Sequence, residues 1–157
     1  MSYNFSADEI FEMAKQIERN GVIFYTKAAE DVEGADEKKF LLSLAKMEEN
    51  HEKVFAEMQK ELADKEKASQ VFDPMEESVL YLRALADTRI FFEKSSPGKE
   101  MKNILMSAIE TEKDSIVFYL GMKGMVPGEL GKNRVDNIIK EEMGHIRLLS
   151  GKLLEQK

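Results

Sequence analysis

A chain of 157 residues, 43% of them hydrophobic, is long enough to bury a core without disulfides or a structural metal to hold it together. It has no cysteine, which excludes thiolate catalysis, iron–sulfur clusters, zinc ribbons and disulfides, so any metal must be held by nitrogen and oxygen ligands. A net charge of −7, with basic residues scattered among acidic ones, speaks against a nucleic-acid or anionic-membrane partner.

Residues 1–157 are read as a single domain, and five helices are predicted in chain order. The first opens at Ser6, with Glu9 three residues on to complete a capping box, and runs to the Glu33-Gly34 turn. The second, with Asp36 as its cap, continues to about Lys67, where SQVFDP breaks it. Asp73-Pro74 starts a shorter third helix through about Glu93, ended by SSPG at 95–98. A fourth runs from about Lys99 to Lys123, GMVPGELG makes the next turn, and a fifth runs from about Lys132 to the end. No β-pattern of useful length appears. The start of the chain is amphipathic and acidic rather than a basic segment before an apolar run, and no stretch approaches the roughly 20 apolar residues of a membrane span. A soluble, cytoplasmic, all-α protein is expected: a four-helix bundle of two hairpins joined by a crossover that contains the short extra helix.

The two hairpins repeat one another. IERNGVIFY (17–25) aligns with TEKDSIVFY (111–119), and KMEENH (46–51) with KEEMGH (140–145). Glu18 pairs with Glu112 and Glu48 with Glu142 at one shared offset of 94 residues (112 − 18 and 142 − 48), which survives the turn between helices. Equal hairpins carrying Glu on the first helix and Glu-x-x-His on the second predict a pseudo-two-fold axis. The only two histidines of the chain, His51 and His145, fall in these motifs.

Residues spaced three and four apart share the face that a bundle helix turns inward. The second helix reads Leu41, Leu44, Glu48, His51, Phe55, Met58, and the fifth Val135, Ile138, Glu142, His145, Leu149, Lys152. The first reads Ala7, Phe11, Ala14, Glu18, Gly21, Tyr25, Ala28, and the fourth Met101, Leu105, Ala108, Glu112, Ser115, Tyr119, Met122. All four apolar stripes turn polar at mid-helix. A lone buried carboxylate costs several kcal/mol, and four converging ones repel each other, so the cluster calls for cations. Four glutamates and two neutral imidazoles balance two divalent ions. Carboxylates with one imidazole per ion suit iron, with manganese as the alternative; zinc prefers more nitrogen or sulfur, and calcium or magnesium rarely takes histidine.

With these motifs, the chain resembles the rubrerythrin branch of the ferritin-like di-iron carboxylate proteins over essentially its whole length. The resemblance implies Glu18 and Glu112 as terminal ligands, Glu48 and Glu142 as bridges between two iron ions, and His51 and His145 each completing one ion. It makes Tyr25 and Tyr119 candidates for tyrosines that hydrogen-bond ligand carboxylates across the bundle. The chain departs from the family pattern at Ser115, where rubrerythrins carry a further glutamate that lets one iron exchange ligands during the peroxide reaction. It also lacks the cysteine-ligated rubredoxin domain, so electrons must come from a separate donor protein.

The leading functional expectation is a redox enzyme that acts through the two metals on a small oxidant, hydrogen peroxide or O2, in a homodimer or larger homo-oligomer. Gly21 and Ser115 are expected to leave room for that oxidant. A ferroxidase of the iron-storage class and a non-catalytic helical interaction module are the alternatives. Met47, Met58 and Met122 read as core filler. Phe91 and Phe92 read as covering the crossover or a dimer interface. Glu141 and Asp114 can reach a ligand imidazole from outside the stripes, or lie on a solvated face.

Overall fold

The computed structural model describes residues 6–64, 76–88 and 96–156. Among the described residues five helices stand in this order: α1 (Ala7–Asp31), α2 (Ala35–Asp64), α3 (Glu77–Thr88), α4 (Met101–Met125) and α5 (Glu129–Glu155). Ser6 caps α1 as its sequence predicts, accepting a hydrogen bond from the Glu9 backbone N–H at 3.2 Å. Helix α2 begins at Ala35, which puts Asp36 inside the first turn. There its charge faces the positive end of the helix dipole instead of capping it. Helix α5 starts at Glu129, three residues before the expected Lys132, because Gly128 turns the chain at φ +81°, a conformation that favours glycine. The expected end of α2 near Lys67, the SQVFDP break, the Asp73-Pro74 start of α3, its end near Glu93, and Phe91 and Phe92 lie outside the described residues. None of the helices is long and apolar enough to cross a membrane.

Cross-bundle contacts fix the helix directions. Tyr25 on α1 reaches Glu112 on α4, while Tyr119 on α4 reaches back to Glu18 on α1, a reciprocal pairing that only antiparallel helices allow. On the other side, Arg134 at the start of α5 pairs with Glu57 and Glu61 late in α2, while His51 meets Glu142 at mid-helix, so α2 and α5 are antiparallel too. The short turns at 32–34 and 126–128 make α1–α2 and α4–α5 antiparallel hairpins. It follows that α2 and α4 run parallel. Helix α3 lies antiparallel against the C-terminal half of α4, where the Tyr81 hydroxyl donates to the Val117 carbonyl at 2.7 Å.

Every stripe position named above except Lys152 is buried. The core divides in two. One cluster gathers residues such as Phe11, Phe55, Met122 and Ile138 with Leu82 of α3; the other gathers Leu41, Leu44, Leu105 and Leu149 at the opposite end. Each fully buried Leu or Phe contributes about 1.5–3 kcal/mol, and the two apolar halves clamp the polar layer between them. Surface ion pairs such as Arg19–Glu52 add at most about 1 kcal/mol each.

Gly121 marks where α3 presses closest on α4. A Cβ there would lie 2.6 Å from Tyr81 Cδ1, 2.8 Å from Cε1 and 3.0 Å from Leu82 Cδ2. Alanine gains about 1 kcal/mol in helix propensity, but forcing apart a ring and a leucine costs about 1–3 kcal/mol. Gly121→Ala is therefore expected to lower the unfolding midpoint in denaturant and to loosen α3, seen as faster amide exchange over residues 77–88. An unchanged midpoint and exchange pattern would contradict this close approach.

Candidate metal centre

The i, i+3 spacing places Glu48 and His51 on one inward face of α2, and Glu142 and His145 on the matching face of α5. Glu18 and Glu112 enter from the middle of α1 and α4. All six are between 0% and 4% exposed. They form two groups, Glu18–Glu48–His51–Glu142 and Glu48–Glu112–Glu142–His145, and in each group one donor atom per residue lies within 4.8 Å of the others. All six residues singled out in the sequence are thus brought together, and Glu48 and Glu142 belong to both groups.

The imidazoles present Nδ1 to the cluster. His51 Nδ1 lies 2.7 Å from Glu142 Oε1, 3.6 Å from Glu18 Oε2 and 3.7 Å from Glu48 Oε2. His145 Nδ1 lies 3.3 Å from Glu48 Oε1, 3.4 Å from Glu112 Oε1 and 3.7 Å from Glu142 Oε2. The two rings stack with centroids 5.7 Å apart and planes 19° from parallel.

Buried polar atoms are normally paired, because an unpaired one costs about 1–3 kcal/mol and more when charged. Among the described residues, the buried side-chain atoms without a hydrogen bond are Glu18 Oε2, His51 Nδ1, Glu112 Oε2, both carboxylate oxygens of Glu142, and His145 Nδ1. Every one belongs to this cluster. Even the 2.7 Å approach of His51 to Glu142 lacks hydrogen-bond geometry and is only an ion-pair distance. Six inward-facing donor atoms left unsatisfied in one place fit a metal cofactor.

Electrostatics agree. Burial, then the charges of Glu48 and Glu142, push the Glu18 carboxyl well above the usual range. Burial also acts to raise Glu48, but contacts with Glu18, His145 and His51 outweigh it and hold Glu48 well below. Burial opposes charge on the imidazoles, yet the surrounding carboxylates, Glu142 foremost, win in both cases. His51 is raised far above its ordinary value, and His145 is raised to about 9. In the metal-free chain, protons on Glu18 and both imidazoles take the part that cations would play.

The two tyrosines anchor carboxylates across the bundle. Tyr25 donates to Glu112 Oε1 at 2.7 Å and Tyr119 to Glu18 Oε1 at 2.6 Å, and both phenols are pushed up by burial and nearby carboxylates, so they remain donors. Tyr119→Phe leaves a Glu18 oxygen unpaired, and Tyr25→Phe does the same to Glu112. Each is expected to lower the stability of the metal-free chain by about 1.5–3 kcal/mol, read from denaturant unfolding. A change below 0.5 kcal/mol (about a third of the expected minimum) would mean that the hydroxyl does no more than fill space.

Space near the cluster differs from expectation at Gly21. A Cβ there would sit 3.2 Å from Glu48 Cγ and 3.3 Å from Cδ, so this glycine lets α1 close up against the Glu48 side chain rather than leaving room for an oxidant. Ser115 is buried, donates to the Thr111 carbonyl at 3.0 Å, and lines a cavity of about 280 Å³ between α1 and α4. Asp114 lines the same cavity.

Of the two contacts behind the imidazoles, the sequence holds one open, with Glu141 reaching a ligand imidazole or lying on a solvated face, and misses the other. Glu141 Oε2 lies 2.6 Å from His51 Nε2, on the side of the ring away from the cluster. Met47, read as core filler, is 39% exposed and places its Sδ 3.1 Å from His145 Nε2; Met58 and Met122 are buried as expected. The 94-residue offset held the signal, because Met47 and Glu141 are each the residue before a shared glutamate.

The family model for rubrerythrin matches residues 9–153. The crystal structure of a chain from Thermotoga maritima, assigned as a ferritin-like diiron-carboxylate protein, superposes with a TM-score of 0.71 at 25% identity, covering all of both chains. Comparison with curated proteins finds no match.

Proposed function

This chain belongs to the rubrerythrin family, and from that premise we propose that it is a di-iron redox protein that reduces hydrogen peroxide or O2 with electrons from a separate donor protein. The observation that carries this reading is the pair of buried Glu/His groups that share Glu48 and Glu142. Two ions would be held here by Glu18 with His51 and by Glu112 with His145, with Glu48 and Glu142, which belong to both groups, shared between them. The likeness to the Thermotoga maritima diiron-carboxylate protein supports iron over manganese.

Bound there, two ferrous ions would supply two electrons to the oxidant. The protein's own work is positional. Tyr25 and Tyr119 hold the terminal carboxylates, which lets Glu112 and Glu18 turn their second oxygens, the ones left unpaired, toward the metals. The apolar halves of the core keep bulk water from the layer between them. The cavity at Ser115 offers a small oxidant a way in from the α1–α4 side, one turn from Glu112. The same reading takes residues 1–157 as one cytoplasmic domain that assembles as a homodimer or larger homo-oligomer.

Iron-loaded, reduced protein is expected to consume hydrogen peroxide or O2 faster than the same concentration of free ferrous ion, followed by electrode in anaerobic mixing. Turnover of neither oxidant above the free-ion rate would remove the redox reading and leave the metal site standing.

A further inference from the structure

The pseudo-two-fold repeat makes the six ligands nearly symmetric, but it fails just behind them. The 94-residue offset that matches His51 with His145 also matches Met47 with Glu141. These are the two residues that meet the outer nitrogens of the imidazoles. With Nδ1 of each ring facing the cluster, Nε2 is the nitrogen that carries the hydrogen and donates outward. His51 donates to the Glu141 carboxylate at 2.6 Å, and among the described residues His145 Nε2 meets the Met47 thioether, at 3.1 Å.

We propose that the two metal positions are inequivalent: the ion held by Glu18 and His51 binds first and tightly, and the ion held by Glu112 and His145 is the weaker and more exchangeable one. The inference rests on the dinuclear reading above. Glu141 is a positioning residue. Its carboxylate fixes the His51 ring with Nδ1 inward and makes that nitrogen a better electron-pair donor, since a charged acceptor forms a bond roughly twice as strong as a neutral one. A thioether is a weak acceptor, so Met47 constrains His145 less and polarises it less. Loss of such an outer partner costs about 10–100-fold in metal affinity. The Glu141 side chain is 62% exposed, and water screens part of its charge. The lower end of that range, about tenfold, is therefore expected.

The test is a titration of the full, chelator-stripped chain with Co(II), followed by visible absorption and by calorimetry. The parent is expected to take up two ions in two steps at least about tenfold apart in affinity. Glu141→Met, which copies the His145 side onto the His51 side, should weaken the first step about tenfold and merge it with the second. Glu141→Gln, which keeps an acceptor without its charge, should fall between the parent and Glu141→Met. Met47→Glu should tighten the second step and leave the first in place. A merely structural role for Glu141 would weaken both steps alike and leave their separation intact, which would overturn the proposal. So would a parent that binds both ions in one step of equal affinity. A parent that binds fewer than two ions in every condition would sink the dinuclear reading itself, and this inference with it.

Discussion

A chain carrying both Glu48→Leu and Glu142→Leu is expected to bind no metal and, when both are metal-free, to melt higher than its parent. These two carboxylates belong to both ligand groups, so losing them dismantles both ion positions at once. Both residues are buried in the metal-free core, at most 4% exposed, and both Glu142 oxygens are unpaired there. Replacing buried ionic groups by apolar side chains of similar size often stabilises a protein by about 1–4 kcal/mol. For a chain of this length each kcal/mol moves the melting temperature by about 2–4 °C. Elemental analysis and calorimetry in chelator would read both effects. A variant that keeps its metal, or that melts well below the metal-free parent, would mean that the polar layer is a structural network.

The second large effect is expected from metal removal. An ion held at about a hundredfold excess over its Kd stabilises the folded chain by about 2.7 kcal/mol. Two such ions give about 5 kcal/mol, so chelation should lower the melting temperature by about 10–20 °C. The size of that drop should rise with pH. In the metal-free chain His145 is raised from 6.5 to about 9 by the carboxylates around it. Its protonated form therefore contributes stability that is complete below pH 6.5 and is lost as pH rises through about 9. That loss amounts to about 3 kcal/mol, and His51, raised in the same direction, adds to it. Metal ions replace these protons, so their affinity strengthens over the same window. Melting curves with and without chelator from pH 6 to 9.5 (about half a unit beyond each end of the titration window) should diverge. Parallel curves would contradict proton-for-metal exchange at the imidazoles.

The four inward stripes and the six candidate ligands could be read directly from spacing, because a bundle helix repeats its buried face every three or four residues and the 94-residue offset ties the hairpins together. Helix directions were implied by the same repeat, and the reciprocal Tyr25–Glu112 and Tyr119–Glu18 bonds now give them. What spacing could not supply was anything decided by distance across the bundle. Gly21 has the period of a core position, but only the approach of Glu48 shows that a Cβ there would crowd that side chain. Spacing left Glu141 open between a ligand imidazole and a solvated face, and only its 2.6 Å approach to His51 decides between them. Met47 is one residue off the stripe, and its flexible thioether curls over His145 instead of filling the core. Helix starts were the other weak point. Asp36 and Lys132 were placed by residue preference, whereas α2 begins at Ala35 and the positive φ of Gly128 turns the chain into α5.

The dinuclear centre itself is tested most directly by anomalous diffraction at the iron and manganese edges, on crystals of protein purified from its native host, with elemental analysis of the same sample. Two peaks about 3.5–4 Å apart are expected at the iron edge, one beside Glu18 and His51 and the other beside Glu112 and His145, with Glu48 and Glu142 touching both. A single peak, or none, in protein whose six side chains are ordered would contradict it.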